Sequence, residues 1–499
     1  MTASTSGPIA TDVLICGAGA AGLTLAVDLA RRGVSFRLID KGEGPFPGSR
    51  GKGVQPRSQE VLEDLGVLDR MVAAGGPYPP QRKHRPDGGF NDASMFEAAP
   101  AIPAEPYRTP LLCPQFLTEG ALRDRLAELG ARPWFGVELV GFIQDADGVT
   151  ARLKGPDGET MVRCRYLVGA DGGRSFVRHE LGVEFPGSTL GMRAVVADVR
   201  LTGLSEDAWH RFGEGAEQIA LCPLKGTGLF QLQAPIPLEG ETDLTTQGLN
   251  AMVAARTGRS DLQVIEVVWA SAYSMNARLA DRYQMGRVIL AGDAAHIHPP
   301  TGGQGLNTSL QDAYNLGWKL AAVLAGAPDS LLESYEAERR PVAAQVLGLS
   351  TRLLDDAKAS AAMRRGRDTQ QLDIGYPASP LSLEGPDREG VMAGDRAPDA
   401  PCLRASGQPA RLFDLFAGPH WTLLGHGADR TSAPPPRAGV RIVTMGPEGE
   451  IVDAQGHIGA AYGVGAGDWV LVRPDGYIAA VADAAGVAAH LDRLLGSAA

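Results

Sequence analysis

Apolar residues first gather at Val13 to Cys16, a four-residue run bounded by Asp12 and Gly17, which reads as a buried strand ending in a turn. A helical stretch, AAGLTLAVDLARR, follows, and Phe36 to Asp40 reads as a second strand closed by an acid. Two later runs repeat the form: Tyr166 to Gly169, ending at Asp171-Gly172, and Val288 to Leu290, ending at Gly292-Asp293. A helix is predicted from about Leu306, because Leu306, Leu310, Ala313, Leu320 and Leu324 recur at intervals of three, four and seven. Leu122, Leu126 and Leu129 give a shorter helix the same kind of stripe.

In the middle of the chain the period changes. GMRAVVADVRL, EQIALCPLKGTGLFQLQAPI and LQVIEVVWASAYSM alternate apolar and polar residues, which predicts a mostly antiparallel sheet. Trp209, Phe212, Phe230 and Trp269 belong to this region, with buried core as the default place for each and an aromatic cavity as the second reading. Gly75 to Phe90, GGPYPPQRKHRPDGGF, is too rich in Pro and Gly for a core element and reads as a loop flanking an entrance. Beyond a helical stretch ending near Met363, RRGRDTQQLDIGYPASPLSLEGPDREG reads as a linker. GVGAGD (Gly463 to Asp468) precedes the apolar run WVLV and reads as a loop before a strand.

Composition narrows the class. A chain of 499 residues with 44% hydrophobic and 21% charged residues suggests two or three globular domains. A net charge of -11 argues against sequence-independent nucleic-acid binding, which needs Lys and Arg to neutralise phosphates. Five well-separated cysteines without a CxxC pair fit a reducing cytosol. No signal peptide or bilayer-length apolar run is visible, so the expectation is a soluble cytoplasmic protein with no membrane partner.

The first chemical motif is Gly17, Gly19 and Gly22, a GxGxxG between strand and helix, with Asp40 ending the next strand. Such glycines permit a tight turn, close approach of a pyrophosphate and close helix–strand packing, and the helix N-terminus attracts the phosphates. With strand, helix, strand and acid in place, the chain is read as binding a dinucleotide. The second motif, GDAAHIHPPTGGQGLN (Gly292 to Asn307), has two readings. Asp293, His296 and His298 could begin a metal site, but such a site asks for a further ligand and an open position, and His296-x-His298 alone offers only alternation on an extended segment. The Pro-Pro turn and glycines could instead bend the backbone around a flat or anionic ligand.

GAGAAG with Asp40, GADGGRSFVR and GDAAHIHPPTGGQGLNTSLQDAYNLGWKL together resemble the three FAD signatures of single-component flavoprotein aromatic hydroxylases, in order and spacing. The resemblance runs from about Thr11 to Ala343. It implies an α/β (α+β overall) fold: a Rossmann-like FAD domain, an interleaved antiparallel-sheet substrate domain, and a C-terminal domain. GDRAPDAPCL, RLFDLFAGPHWTLLGH and DWVLVRPDGYIAAVA resemble the thioredoxin-like C-terminal domain of the phenol hydroxylase and aromatic polyketide hydroxylase branch, without its CxxC. The expected limits are 1–75, 110–180 and 276–345 for FAD, 76–109 and 181–275 for substrate, 346–392 for a helical extension and linker, and 393–499 for the C-terminal domain.

The resemblance also implies roles. Gly17, Gly19, Ala20, Ala21 and Gly22 would surround the pyrophosphate, and Asp40, with Lys41 beside it, would hold the adenosine ribose. Arg50 would lie over the diphosphate and is the one candidate for a positioning role in catalysis. Gln115 would contact the ribityl side, Asp171 would serve FAD and the nicotinamide nucleotide, and Gly292-Asp293 would bond the ribitol. Pro300 and Gly303 would abut the flavin ring, with the N–H groups of Gly305, Leu306 and Asn307 at its pyrimidine edge. No metal is expected; the stretch is read as holding flavin. The basic cluster Arg82, Lys83, His84 and Arg85 is read first as a solvated loop face and second as an attractor of the nicotinamide nucleotide.

The implied reaction uses NADPH or NADH and O2, forms a flavin C4a-hydroperoxide, and hydroxylates a phenolic or polycyclic aromatic substrate of the polyketide and antibiotic kind. Baeyer–Villiger oxygenation of a ketone, a flavin reductase and a non-catalytic FAD-binding protein are the alternatives. The C-terminal domain is read as structural, aiding association, with a homodimer the assembly considered.

Overall fold

The computed structural model describes residues 9–97, 99–359, 365–384, 389–428 and 431–496. Its first layer is built on strand Ile9–Cys16, which pairs in parallel with Phe36–Asp40 on one side and with Gly158–Gly169 on the other. Val288–Leu290 adds in parallel to the far side of Gly158–Gly169. Val13, Leu14 and Ile15 are wholly buried, as a central strand of a parallel sheet covered on both faces requires. The predicted strand Tyr166 to Gly169 is the end of a twelve-residue strand whose earlier half pairs antiparallel with Val149–Gly155. Helices Ala20–Arg31 and Gly305–Leu324 pack together on this sheet and bury almost every residue of their facing sides.

The second layer is the expected antiparallel sheet. Gln263–Leu279, Gly187–Thr202, Leu229–Ile236, Ile219–Leu224 and Trp209–Phe212 follow in that order, and His296–Ile297 joins the sheet at its Gln263–Leu279 side. Here the structure corrects one expectation. Within the stretch read as a loop, Gln81–His84 is a strand, parallel to Trp209–Phe212 and antiparallel to Phe90–Ala93. All four of its residues are polar, so it shows no apolar alternation, and its partner lies 128 residues away (Gln81 opposite Trp209).

The C-terminal part forms a seven-stranded mixed sheet. Trp421–His426 is parallel to Val440–Met445 and antiparallel to Trp469–Val472, which pairs with Ile478–Ala482. Gly463 to Asp468 is a loop before that Trp469 strand, as read. This sheet docks on the first layer through an edge-on contact of Trp318 with Trp421 at 5.3 Å and through a buried ionic cluster. In the cluster Arg473 grips Glu338 with two bonds (2.7 and 2.9 Å), and Lys319 donates to the same carboxylate at 2.7 Å.

The long helix Ser330–Ala359 contains Pro341; the expected helix end near Met363 lies outside the described residues. The segment read as a polar linker is only partly one, because Arg365 and Thr369 to Leu372 are buried. Gln371 donates to Gln304 Oε1 at 2.7 Å and accepts from Gln311 at 2.6 Å, so its polar side chains are spent on the helix beneath. All five cysteines are buried and unpaired. Among the described residues no helix is long and apolar enough to cross a membrane.

Candidate active site

Three parallel strands bring their ends into register: Cys16 stands opposite Gly169 on one side and Ile39 on the other, and Gly169 stands opposite Leu290. The sequence motifs therefore converge on one edge, the carboxyl edge where open α/β sheets bind ligands. Gly17 follows the first strand with φ +105°, and a side chain there would lie 2.2 Å from the Ala170 carbonyl oxygen. A side chain at Gly22 would lie 1.9 Å from the Gly17 oxygen, so both glycines are demanded by close packing of helix, turn and neighbouring strand. Gly19 differs: only Glu119 Oε1, at 3.8 Å, comes within 4 Å of a Cβ built on it. Ala20 and Ala21 are buried in the first helical turn.

Asp40 is held by its own turn. One carboxylate oxygen accepts the Ala18 N–H and the other the Gly42 N–H, each at 2.8 Å. Lys41 is exposed beside it. Asp171 accepts the Val177 N–H at 3.1 Å through Oδ2, while its Oδ1 is buried and has no partner. Gln115 exchanges two bonds with Gly51, donating its N–H at 2.9 Å and accepting at 3.3 Å, and its amide donates to Glu119 at 2.8 Å. It thereby ties the Arg50 segment to helix Gln115–Glu128.

Arg50 is exposed, its guanidinium 4.8 Å from the Phe46 ring centre and 6.0 Å from that of Trp269. Trp269 packs edge-on against Phe46 and beside Arg50, whereas Phe212 and Phe230 belong to the core of the antiparallel sheet. Trp209 sits in a small cluster under that sheet with Met95, Leu112, Ala220 and Cys222.

The turn after Gly292 explains its own composition. Pro299-Pro300 leads into one tight helical turn, Pro300–Gly302, Gly303 turns left-handed at φ +63°, and the helix begins at Gly305. The first backbone bond here runs from Thr308 N–H to Gln304, so the N–H groups of Gly305, Leu306 and Asn307 precede the helical ladder. No protein atom lies within 4 Å of a Cβ built on Gly305. The Asn307 side chain is fastened instead to Gln55 N–H (2.7 Å) and Gly53 O (2.9 Å). Asp293 opens onto the cleft floor, where the surrounding protein pushes its carboxyl up while His296 and Arg50 oppose the shift.

The histidines are engaged elsewhere. His296 is fully buried, its Nε2 2.6 Å from Asp312 Oδ2 and its Nδ1 3.0 Å from His298 Nε2. Among the described residues no three His, Cys, Asp or Glu side chains gather as metal ligands would. The basic cluster is likewise committed: Arg82 pairs with Asp92 and Asp207, Lys83 with Glu214 and Arg85 with Asp87, while His84 stacks on Phe212 at 4.1 Å. Ion-paired at a sheet edge, it is not the free basic patch that an anionic nucleotide would need.

These features fit FAD. A Cβ built on Gly305 meets no protein atom within 4 Å, the N-terminus of helix Ala20–Arg31 is approached by the Glu119 carboxylate, and an orphaned buried oxygen belongs to Asp171, which lies beside the Gly17 turn. Sequence reasoning missed Glu119, Asp312 and Arg339, and also Lys52, Asp198 and Arg365 under the antiparallel sheet. Glu119 carried a signal, since it lies one helical turn after Gln115; the others are brought in from distant segments.

Comparison with known proteins gives a consistent picture. Residues 10–350 match the model of an FAD binding domain, and residues 391–498 that of the aromatic-ring hydroxylase C-terminal domain. A flavin-dependent monooxygenase of Mycobacteroides abscessus is 44% identical over 93% of this chain and 96% of its own. The 12-dehydrotetracycline 5-monooxygenase/anhydrotetracycline 6-monooxygenase of Streptomyces rimosus is 35% identical over 94% of each chain. Among solved structures, aklavinone-11 hydroxylase with FAD and aklavinone superimposes with a TM-score of 0.81 at 28% identity, covering 97% of this chain and 99% of that one. The monooxygenase PieE with FAD and substrate gives a TM-score of 0.86 at 26% identity, over 98% and 100%.

Proposed function

This chain belongs to the FAD-dependent aromatic monooxygenases, and on that premise we propose that it uses NADPH or NADH and O2 to hydroxylate a phenolic, fused-ring substrate of the polyketide kind. The observation that carries the reading is the first turn of helix Gly305–Leu324, whose N–H groups at Gly305, Leu306 and Asn307 precede the helical ladder and where a Cβ on Gly305 meets no protein atom within 4 Å. When bound, FAD supplies hydride acceptance and oxygen activation. The protein contributes position and charge. Gly17, Gly19, Ala20, Ala21 and Gly22 would wrap the pyrophosphate against the positive end of helix Ala20–Arg31. Asp40 would take the adenosine ribose, with Lys41 on the rim, and Arg50 would cover the diphosphate. Gln115, Gly292 and Asp293 would hold the ribityl chain, and Asp171 would serve both FAD and the nicotinamide nucleotide. Pro300 and Gly303 would border the ring. The N–H groups of Gly305, Leu306 and Asn307 would stabilise the negative charge that reduction places on its pyrimidine edge.

The sheet above would shelter the substrate and exclude water from the reacting face. We assign 1–75, 110–180 and 276–345 to the FAD domain, 76–109 and 181–275 to the substrate domain, 346–392 to the helical extension and 393–499 to a structural C-terminal domain. The relatives named for anhydrotetracycline and aklavinone support the fused-ring substrate class.

The test is anaerobic reduction of the bound flavin by NADPH, followed by stopped-flow absorbance with a panel of phenols and polycyclic quinones. Strong acceleration by fused-ring phenols supports the reading, and equal rates with and without them contradict it. Isolation of a ring-expanded ester or lactone after aeration would replace hydroxylation with Baeyer–Villiger chemistry.

A further inference from the structure

We propose that Glu119 completes the diphosphate site as a neutral acid: its carboxyl donates a hydrogen bond to a phosphate oxygen of FAD and takes one proton from solvent as the cofactor binds. This rests on the FAD reading of Gly17 to Gly22 and adds to it a residue that no motif assigned, together with a pH dependence of cofactor affinity.

The placement begins with spacing. Gln115, Glu119 and Arg123 recur at every fourth residue and so share one face of helix Gln115–Glu128. That helix packs on Ala20–Arg31, and Glu119 is only 1% exposed. Its Oε1 lies 3.8 Å from a Cβ built on Gly19, the residue at the N-cap of Ala20–Arg31, and the Ala20 N–H bears on the carboxyl. Gly19 has no side chain with which to cap the helix. A carboxyl from a second helix therefore stands at the helix end that the glycine motif reserves for phosphate.

The neighbours of Glu119 neutralise it only in part. Gln115 donates from Nε2 to Oε1 at 2.8 Å. Arg123 Nη1 is 3.9 Å from Oε2, beyond hydrogen-bond reach, and is itself buried with no hydrogen-bond partner among the described residues. Asp40, at the end of strand Phe36–Asp40, brings a second negative charge, while Ala20–Arg31 faces the carboxyl with the Ala20 N–H. Burial pushes the Glu119 carboxyl above the usual carboxylate range and Asp40 adds to this; Gln115, Arg123 and the Ala20 N–H oppose.

A diphosphate brings further negative charge to the same helix end. Like charges at close quarters favour the protonated acid, the direction in which burial already acts. An ionised carboxylate would only repel phosphate. A protonated one offers it an O–H donor and keeps the other oxygen for Gln115. The proton comes from solvent, and no bond other than that O–H forms. FAD affinity is then insensitive to pH below the free protein's carboxyl value. Above it, binding weakens by about tenfold per pH unit for one proton, until the bound form also ionises.

The test titrates full-length apoprotein with FAD by flavin fluorescence between about pH 5.5 and 8.5, and by calorimetry in two buffers of different ionisation enthalpy. The native dissociation constant should rise by about tenfold per unit toward the alkaline end, with a net uptake approaching one proton per FAD. Glu119→Gln should bind with a single dissociation constant over the range and, at the alkaline end, about tenfold or more tightly than the native protein. Difference infrared spectra of the native protein serve if that variant fails to fold. FAD binding should produce a protonated carboxyl band that shifts with 13C-labelled glutamate, which separates Glu119 from Asp40, Asp171 and Asp293. Four results would each overturn the proposal while leaving the FAD reading in place: a pH-independent native dissociation constant, absence of proton uptake, a glutamine variant with the native pH dependence, or no labelled carboxyl band. Failure to bind FAD at any pH would overturn both.

Discussion

Asp312, in helix Gly305–Leu324, and Arg339, in the long helix after it, meet at 2.7 Å with neither side chain exposed to solvent. The second Asp312 oxygen receives His296 at 2.6 Å, so one carboxylate ties the Gly292 turn to both helices. Burial alone would raise this carboxyl; His296 and Arg339 outweigh burial and hold it below the usual range. Its stabilisation is therefore present above the unfolded-state value and is lost as pH falls through the folded one. Asp312→Ala leaves Arg339 enclosed and unpaired. The expected cost is about 3–5 kcal/mol, seen as a lower urea midpoint at unchanged slope.

Gly17 and Gly305 look alike in sequence and should behave oppositely. Gly17→Ala forces a Cβ to 2.2 Å from the Ala170 oxygen at a positive φ, so the apoprotein itself should lose stability. Gly305→Ala meets no protein atom within 4 Å. It should leave the apoprotein melting temperature unchanged or slightly raised and yet weaken FAD binding, because the added methyl would enter the space proposed for the cofactor. Melting curves of both apoproteins, with flavin-to-protein ratios after purification, check the contrast.

Among the described residues Arg50 makes no ion pair, and it is exposed, so its removal should spare the fold. If it covers the diphosphate, Arg50→Ala loses a charge-assisted hydrogen bond of about 1.5–3 kcal/mol, roughly a 10–100-fold rise in the FAD dissociation constant. Fluorescence titration of apoprotein with FAD reads this directly.

The stacked pair His84 and His210 sets an acid limit on the sheet edge. His210 Nε2 lies 2.9 Å from the Ser205 carbonyl oxygen, and its Nδ1 lies 2.9 Å from His84 Nε2, an arrangement that suits two neutral rings. Burial, and then each other's charge, lowers His84 to about 4. Between pH 6.5 and 4 the unfolded chain binds the extra proton and the folded one does not, so stability falls as pH falls through that window. His84→Phe should flatten the dependence of the melting temperature over that range, with His210 supplying the remainder.

The parts of the site legible in the sequence were those made by the backbone. Gly17, Asp40 and the turn from Pro299 to Gly305 announce themselves because a turn or helix start needs particular residues within a few positions. Side chains brought together across long separations left no such mark. Lys52 meets Gln231 across 179 residues, and Gln59 accounts for the carbonyl of Thr109 across 50. Arg365 sits in a stretch whose polar composition reads as a linker, because its buried partners are carbonyls and glutamines on other elements. The strand Gln81–His84 was hidden for the same reason: its charged residues find carboxylates only after folding.

As a monooxygenase, the protein should transfer one oxygen atom of O2 to its aromatic substrate. The most direct measurement is turnover with NADPH and a fused-ring phenol under 18O2, followed by mass analysis of the product. One 18O atom per product molecule, with NADPH consumption that depends on the phenol, is the predicted result. NADPH consumption that yields labelled hydrogen peroxide alone, with the phenol recovered unchanged across the panel, would contradict it.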